Sequence, residues 1–143
     1  MELKMKLLIR ILSFMIIAAM FSCEDSGWFT NCSDCTIEEP EEANLIIRLT
    51  GTDLPVTVRI FEGELGDSIL YDIVPDFRGS EYRRNVILNK KYTVTAEYMV
   101  NGNNYYAIDA CTPRVKYTKD QCDDPCYFLY DRVLDLRLKY TAD

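Results

Sequence analysis

From Leu45 to the C-terminus apolar and polar side chains alternate with a period of two, segment after segment, and no 3.6-residue periodicity of useful length occurs in that region. Successive side chains of a strand point to opposite faces of a sheet, so such alternation builds half-buried strands and leaves no helix with a continuous apolar stripe. In the first segment Leu45, Ile47 and Leu49 face one way. In the second, Val56, Val58 and Ile60 oppose Thr57, Arg59 and Phe61. Residues 68–74 and 82–88 are shorter and less regular. Tyr92, Val94, Ala96, Tyr98 and Val100 then alternate with Thr93, Thr95, Glu97 and Met99, a run rich in the β-branched and aromatic residues that strands favour. Asn101-Gly102 follows at once. Both central residues of a type I′ turn need positive φ, which makes this pair a strong hairpin signal, with 105–110 as the return strand. Residues 113–118 form an expected edge piece, because Pro113 cannot donate to a ladder. In the last segment Leu134, Leu136, Leu138 and Tyr140 oppose Asp135, Arg137 and Lys139.

About seven or eight short strands with turns between them predict an all-β chain, a single Greek-key-like β-sandwich with almost no helix. The order Val56-Thr57-Val58-Arg59-Ile60-Phe61-Glu62-Gly63, then Gly79-Ser80-Glu81-Tyr82, then Asn89-Lys90-Lys91-Tyr92-Thr93-Val94-Thr95 resembles the transthyretin-like and collagen-adhesin B-type sandwiches. In those a Gly-x-Tyr strand leads through a polar turn into a Tyr-x-Val strand. The resemblance covers about half the chain and implies a fold, not a function, since such sandwiches host unrelated roles.

Ahead of the sandwich the chain is organised differently. Lys4, Lys6 and Arg10 precede an apolar run of 11 residues, Ile11 to Phe21, broken only by Ser13, and small Ser22 stands before Cys23. This is the order of a secretory signal, and the run is shorter than the roughly 20 apolar residues a membrane-spanning helix needs. Met20-Phe21-Ser22-Cys23 resembles a bacterial lipobox, although Met20 and Phe21 depart from its usual Leu-Ala/Ser-Gly/Ala-Cys form. The resemblance implies that the Cys23 thiol receives a diacylglyceryl group, that cleavage makes Cys23 the first residue, and that a further acyl chain such as palmitate can follow. Glu24 and Asp25 look like the acidic export signal of Bacteroidetes-type surface lipoproteins. Two or three acyl chains anchor stably where one binds only marginally. The expected organisation is a signal peptide over residues 1–22, a lipidated acidic spacer over 23–42 that contains the block Glu38-Glu39-Pro40-Glu41-Glu42, and a β-sandwich over 43–143. Trp28 and Phe29 lie near the anchor, at the lipid-water boundary or on the domain edge.

Composition removes whole classes of function. Without the leader 13 Lys+Arg stand against 22 Asp+Glu, a formal charge of −9. Nucleic acid is therefore no expected partner, because that binding needs Lys and Arg to neutralise phosphates. The chain has no histidine, which takes away the commonest general base, the Ser-His and Cys-His pairs and the imidazole ligands of most catalytic zinc and copper sites. No catalytic residue and no cofactor are expected, and any enzyme here would have to work with carboxylates, Lys or Tyr alone.

Outside the cytoplasm the cysteines other than Cys23, namely Cys32, Cys35, Cys111, Cys122 and Cys126, read as disulfide candidates, with at most two bridges and one thiol left over. The favoured arrangement bridges Cys111 to Cys122 or Cys126 and either ties the Cys32/Cys35 segment to the remaining member of that pair or closes that segment on itself. The alternative is a structural zinc site of four thiolates from Cys32-x-x-Cys35 and Cys122-x-x-x-Cys126, against which stand the long gap between the pairs and the oxidising compartment. Asp120, Asp123 and Asp124 crowd one loop without the ligand spacing of a calcium loop, so a solvated turn is the preferred reading and no metal ligand is assigned. Tyr105, Tyr106, Tyr127 and Tyr130 are candidate ligand-binding aromatics for a glycan or peptide, if the Asn101 hairpin neighbours the last strand. The expectation is a lipid-anchored protein of the outer-membrane surface that works by binding. It would serve as an accessory subunit with a protein partner in an envelope or nutrient-uptake assembly, or capture a glycan or peptide directly on its tyrosine-rich face.

Overall fold

The computed structural model describes residues 32–51, 53–67 and 69–139, so the leader, Cys23, the Trp28-Phe29 pair and Tyr140 lie outside the described residues. Among the described residues nine strands follow one another: β1 (Glu42–Arg48), β2 (Val56–Glu62), β3 (Ile69–Phe77), β4 (Glu81–Ile87), β5 (Tyr92–Val100), β6 (Asn103–Cys111), β7 (Arg114–Thr118), β8 (Cys126–Tyr130) and β9 (Val133–Asp135). Two single 3-10 turns, Cys32–Asp34 and Leu65–Asp67, are the helical elements among the described residues, and none of these helices is long and apolar enough to cross a membrane. The all-β expectation holds.

The strands form a three-stranded sheet in the order β4-β1-β9, a four-stranded sheet in the order β3-β2-β5-β6, and a separate β7-β8 hairpin. The chain passes from one sheet to the other between β1 and β2, between β3 and β4, and again between β4 and β5. β9 runs parallel to β1 while all other pairs are antiparallel. The core lies between the two larger sheets, where the period-two rows meet: Leu45, Ile47, Leu49, Val86, Leu134 and Leu136 from one side, Val56, Val58, Ile60, Tyr92, Val94, Ala96 and Tyr98 from the other. Each large aliphatic side chain buried this way stabilises the fold by about 1.5–3 kcal/mol.

Two tyrosines of β5 fasten the sheets together. The Tyr98 hydroxyl donates to the Leu136 carbonyl at 2.8 Å and accepts from the Thr50 N–H at 3.2 Å. The Tyr92 hydroxyl donates to the Ile87 carbonyl at 3.2 Å and accepts from the Ile87 N–H at 3.1 Å. Both rings are fully buried. A buried phenol needs a partner for its oxygen, and here each finds backbone groups at an end of the opposite sheet.

The Asn101-Gly102 turn forms as expected, with φ of 51° and 80°. The last segment departs from its expected strand. Only Val133–Asp135 pairs as a ladder with β1, yet Leu136 and Leu138 keep facing inward, because the Leu136 N–H donates to the Arg48 carbonyl at 3.0 Å and the Leu138 N–H to Thr50 Oγ1 at 2.6 Å. β8 has no counterpart in the alternation. Cys-Tyr-Phe-Leu-Tyr is an unbroken apolar run, and its strand character comes from pairing with β7.

Candidate functional site

The same alternation that fills the core assigns the opposite set of side chains to the outer face of the four-stranded sheet. Register aligns them across strands: Leu70 opposite Phe61, Ile73 opposite Arg59, Arg59 opposite Thr95, Thr95 opposite Ile108, and Glu97 opposite Tyr106. A solvated face ordinarily carries polar residues. Here Met99 is 62 % exposed, Tyr106 59 %, Ile108 56 %, Leu70 50 % and Ile73 46 %, so large apolar side chains stand exposed on both edge strands, β3 and β6, and near the end of β5, with Arg59 and the buried Thr95 between the two edges. The sequence carried the sign of this in Phe61, Met99, Tyr106 and Ile108, which occupy slots where alternation calls for polar residues.

A polar network crosses this face. Arg59 Nη1 donates to Glu97 Oε2 at 2.7 Å, and Tyr106 and Asn104 Nδ2 donate to Glu97 Oε1 at 2.9 and 3.3 Å. The Arg59 and Tyr106 donors hold the Glu97 carboxyl below its usual range, and the same carboxylate pushes the Tyr106 phenol up. The Glu97 charge is thus neutralised within the face. Aromatics, Met and Arg with few bare charges form the composition typical of the core of a protein–protein interface.

The four candidate tyrosines are dispersed. Tyr105 faces the core, opposite Tyr98, while Tyr106 faces out. Tyr127 stacks at a tilt on Tyr117 with ring centres 4.9 Å apart, and Tyr130 lies near Phe128 at 6.5 Å, both in the β7-β8 hairpin. Tyr130 pairs with Arg114, beyond the end of β6, whereas Tyr106 lies five residues before that end, about 16 Å back along the strand. No ring contact joins the two tyrosine pairs among the described residues.

The cysteines gather at the hairpin in a pattern that corrects the expected one. Cys32 bridges Cys122 and Cys35 bridges Cys126, while Cys111 is a free, buried thiol. The reason is facing: Cys111 closes β6 opposite Tyr92 on the inward side, so its side chain enters the sandwich core and not the hairpin. Burial, with Asp131 and Asp109 nearby, pushes this thiol up to about 12, which leaves it protonated and inert. The Cys32/Cys35 segment is held beside β8 by a reciprocal backbone pair, Thr36 N–H to Tyr127 O at 2.9 Å and Tyr127 N–H to Thr36 O at 2.8 Å, and Arg132 pairs with Asp34 at 3.7 Å. Part of the stretch read as spacer, Cys32 to Thr36, is therefore attached to the hairpin. The two bridges lie side by side, Cys35 Sγ and Cys122 Sγ being 3.9 Å apart. Asp120, Asp123 and Asp124 join no cluster of potential metal ligands among the described residues. Cys35, Cys122 and Cys126 do, with sulfur atoms all within 4.8 Å of one another.

No protein-family model, curated protein or solved structure matches the chain. The likeness to transthyretin-like and adhesin B-type sandwiches accordingly transfers no residue role to it.

Proposed function

We propose that this chain is a lipid-anchored protein of the outer-membrane surface that acts by binding, as an accessory subunit of a larger envelope assembly, and that the outer face of the β3-β2-β5-β6 sheet is its contact surface. The observation that carries the reading is the set of exposed apolar side chains Leu70, Ile73, Ile108 and Met99 that flank the internally neutralised Arg59–Glu97–Tyr106 group on one face. Several large apolar side chains left exposed on one face mark an interaction site, and the composition of this face suits a protein partner. The lipobox-like Met20-Phe21-Ser22-Cys23 supplies the tether. The test is purification of the tagged chain from its own membrane in mild detergent, with Ile73→Glu and Ile108→Glu as variants. A partner that co-purifies with the natural chain and is lost from the folded variants supports the proposal. A chain that comes out alone at every detergent strength, or a partner retained by both variants, refutes it.

Glycan capture is the second reading, and the exposed Tyr106 ring beside Asn104 and Glu97 favours it over the four-tyrosine platform. Retention on polysaccharide affinity gels that disappears in Tyr106→Ala supports this reading, and unretarded migration on every envelope glycan counts against it. Catalysis forms no part of the proposal.

A further inference from the structure

We propose that the four bridged cysteines, once both disulfides are reduced, close a tetrathiolate site around one zinc ion. Zinc binds thiolate sulfur at about 2.3 Å, and in a regular tetrahedron this sets neighbouring sulfurs about 3.8 Å apart. The unbonded Cys35–Cys122 pair already stands at 3.9 Å, and the Cys35, Cys122 and Cys126 sulfurs lie within 4.8 Å of one another. Cys32 is bonded to Cys122 and Cys126 to Cys35, so cutting both bonds frees all four sulfurs, and Cys32, which stands outside the group of three, swings in to complete the tetrahedron. Cys32-x-x-Cys35 on a 3-10 turn and Cys122-x-x-x-Cys126 on the loop into β8 have the local spacings of zinc-ligand pairs.

Contacts besides the sulfur–sulfur bonds also bring the pairs together. The reciprocal Thr36–Tyr127 backbone pair and the Arg132–Asp34 ion pair hold the turn against β8. These contacts keep the two cysteine pairs beside each other on reduction. Each disulfide takes two electrons from a phosphine, which departs as its oxide with the oxygen of one water molecule, and that water's two protons go to the two thiols. On zinc binding the four thiols release four protons to solvent and the ion is held as a tetrathiolate. Cys111 takes no part, because its thiol lies in the sandwich core.

The experiment uses the full chain in detergent without oxygen, oxidised or reduced with a phosphine, loaded with zinc and desalted. The reduced chain should retain one zinc per chain and the oxidised chain none. Cobalt(II) in place of zinc should give sulfur-to-metal charge-transfer and tetrahedral ligand-field bands. Cys122→Ser with Cys126→Ser should abolish retention, and Cys111→Ser should leave it at one. In the natural sequence, zinc should slow alkylation of Cys32, Cys35, Cys122 and Cys126 and a chelator should restore it, a readout that needs no variant to fold. A reduced chain that leaves the column without metal, alkylation equally fast with and without zinc, metal retained by the Cys122/Cys126 variant, or metal lost from the Cys111 variant each overturns the proposal.

Discussion

Replacing Tyr98 by Phe removes one oxygen from the centre of the sandwich and leaves the ring in place, so its effect isolates the bond between the sheets from the packing. The hydroxyl makes two hydrogen bonds, to the Leu136 carbonyl and from the Thr50 N–H, on the sheet opposite its own strand. At about 1 kcal/mol net for each, Tyr98→Phe should cost about 2 kcal/mol. Tyr92→Phe should cost about 1 kcal/mol, because its donated bond at 3.2 Å is longer than the usual O–H···O distance and both of its bonds reach a single residue, Ile87. The two tyrosines are six residues apart on β5, about 20 Å, and share no partner, so the double variant should lose the sum, about 3 kcal/mol. For a compact unit spanning Asn31–Asp143, a loss of 2 kcal/mol lowers Tm by about 8 °C. Urea unfolding of the three variants measures this, with an m-value unchanged from the natural chain. A Tyr98→Phe cost under about 0.5 kcal/mol would show that the sheets are held by side-chain packing alone.

The disulfides should behave non-additively. Either bridge closes a loop of about 90 residues, with sequence separations of 90 and 91, and the second then closes only the small ring of residues 32–35 and 122–126. By loop-closure entropy, removing one bridge as a Ser pair should cost about 2.5 kcal/mol and removing both about 7, and equal costs for the two steps in denaturant titration would contradict the sharing of one long loop by the two bridges. Cys111 should resist alkylation at pH 8 in the native chain and react only in denaturant, as followed by peptide mass; rapid native labelling would place it outside the core. Stability should form a plateau in pH. Glu97 and Asp135 are held low by Arg59 and Arg137, so their contribution is present above the ordinary values of 4.5 and 3.8 and lost as pH falls below them. Tyr92 and Tyr82 are pushed up by burial, so theirs is present below pH 10.0 and lost as pH rises beyond it. Denaturant midpoints across pH test both edges, and in Tyr92→Phe the alkaline fall should be shallower.

The parts of the fold legible in the sequence are those whose two faces differ in polarity. β1, β2 and β5 pack one row inward and turn a different row outward, and the Asn101-Gly102 turn needs both of its residues at positive φ. β3 was blurred by register shifts against β2 and by Asp76 at φ 50°, each of which resets which side chain faces in. β8 was invisible because pairing with β7, not alternation, makes it a strand. The disulfide pattern follows from the inward facing of Cys111 and the docking of Thr36 on Tyr127, and both are tertiary facts that spacing along the chain does not encode. The exposed apolar residues of the outer face were written in the sequence, but only register shows that Ile73 and Leu70 of one edge strand and Ile108 of the other share that face.

The proposal joins a tether to a bridged binding domain, and one measurement addresses both halves: the intact mass of the chain taken from its own membrane, with and without reductant. The expected mass is that of residues 23–143 plus two or three acyl chains, rising by four hydrogens when the two bridges are reduced. A chain that keeps its leader, or carries no lipid, or gains no hydrogens on reduction contradicts it.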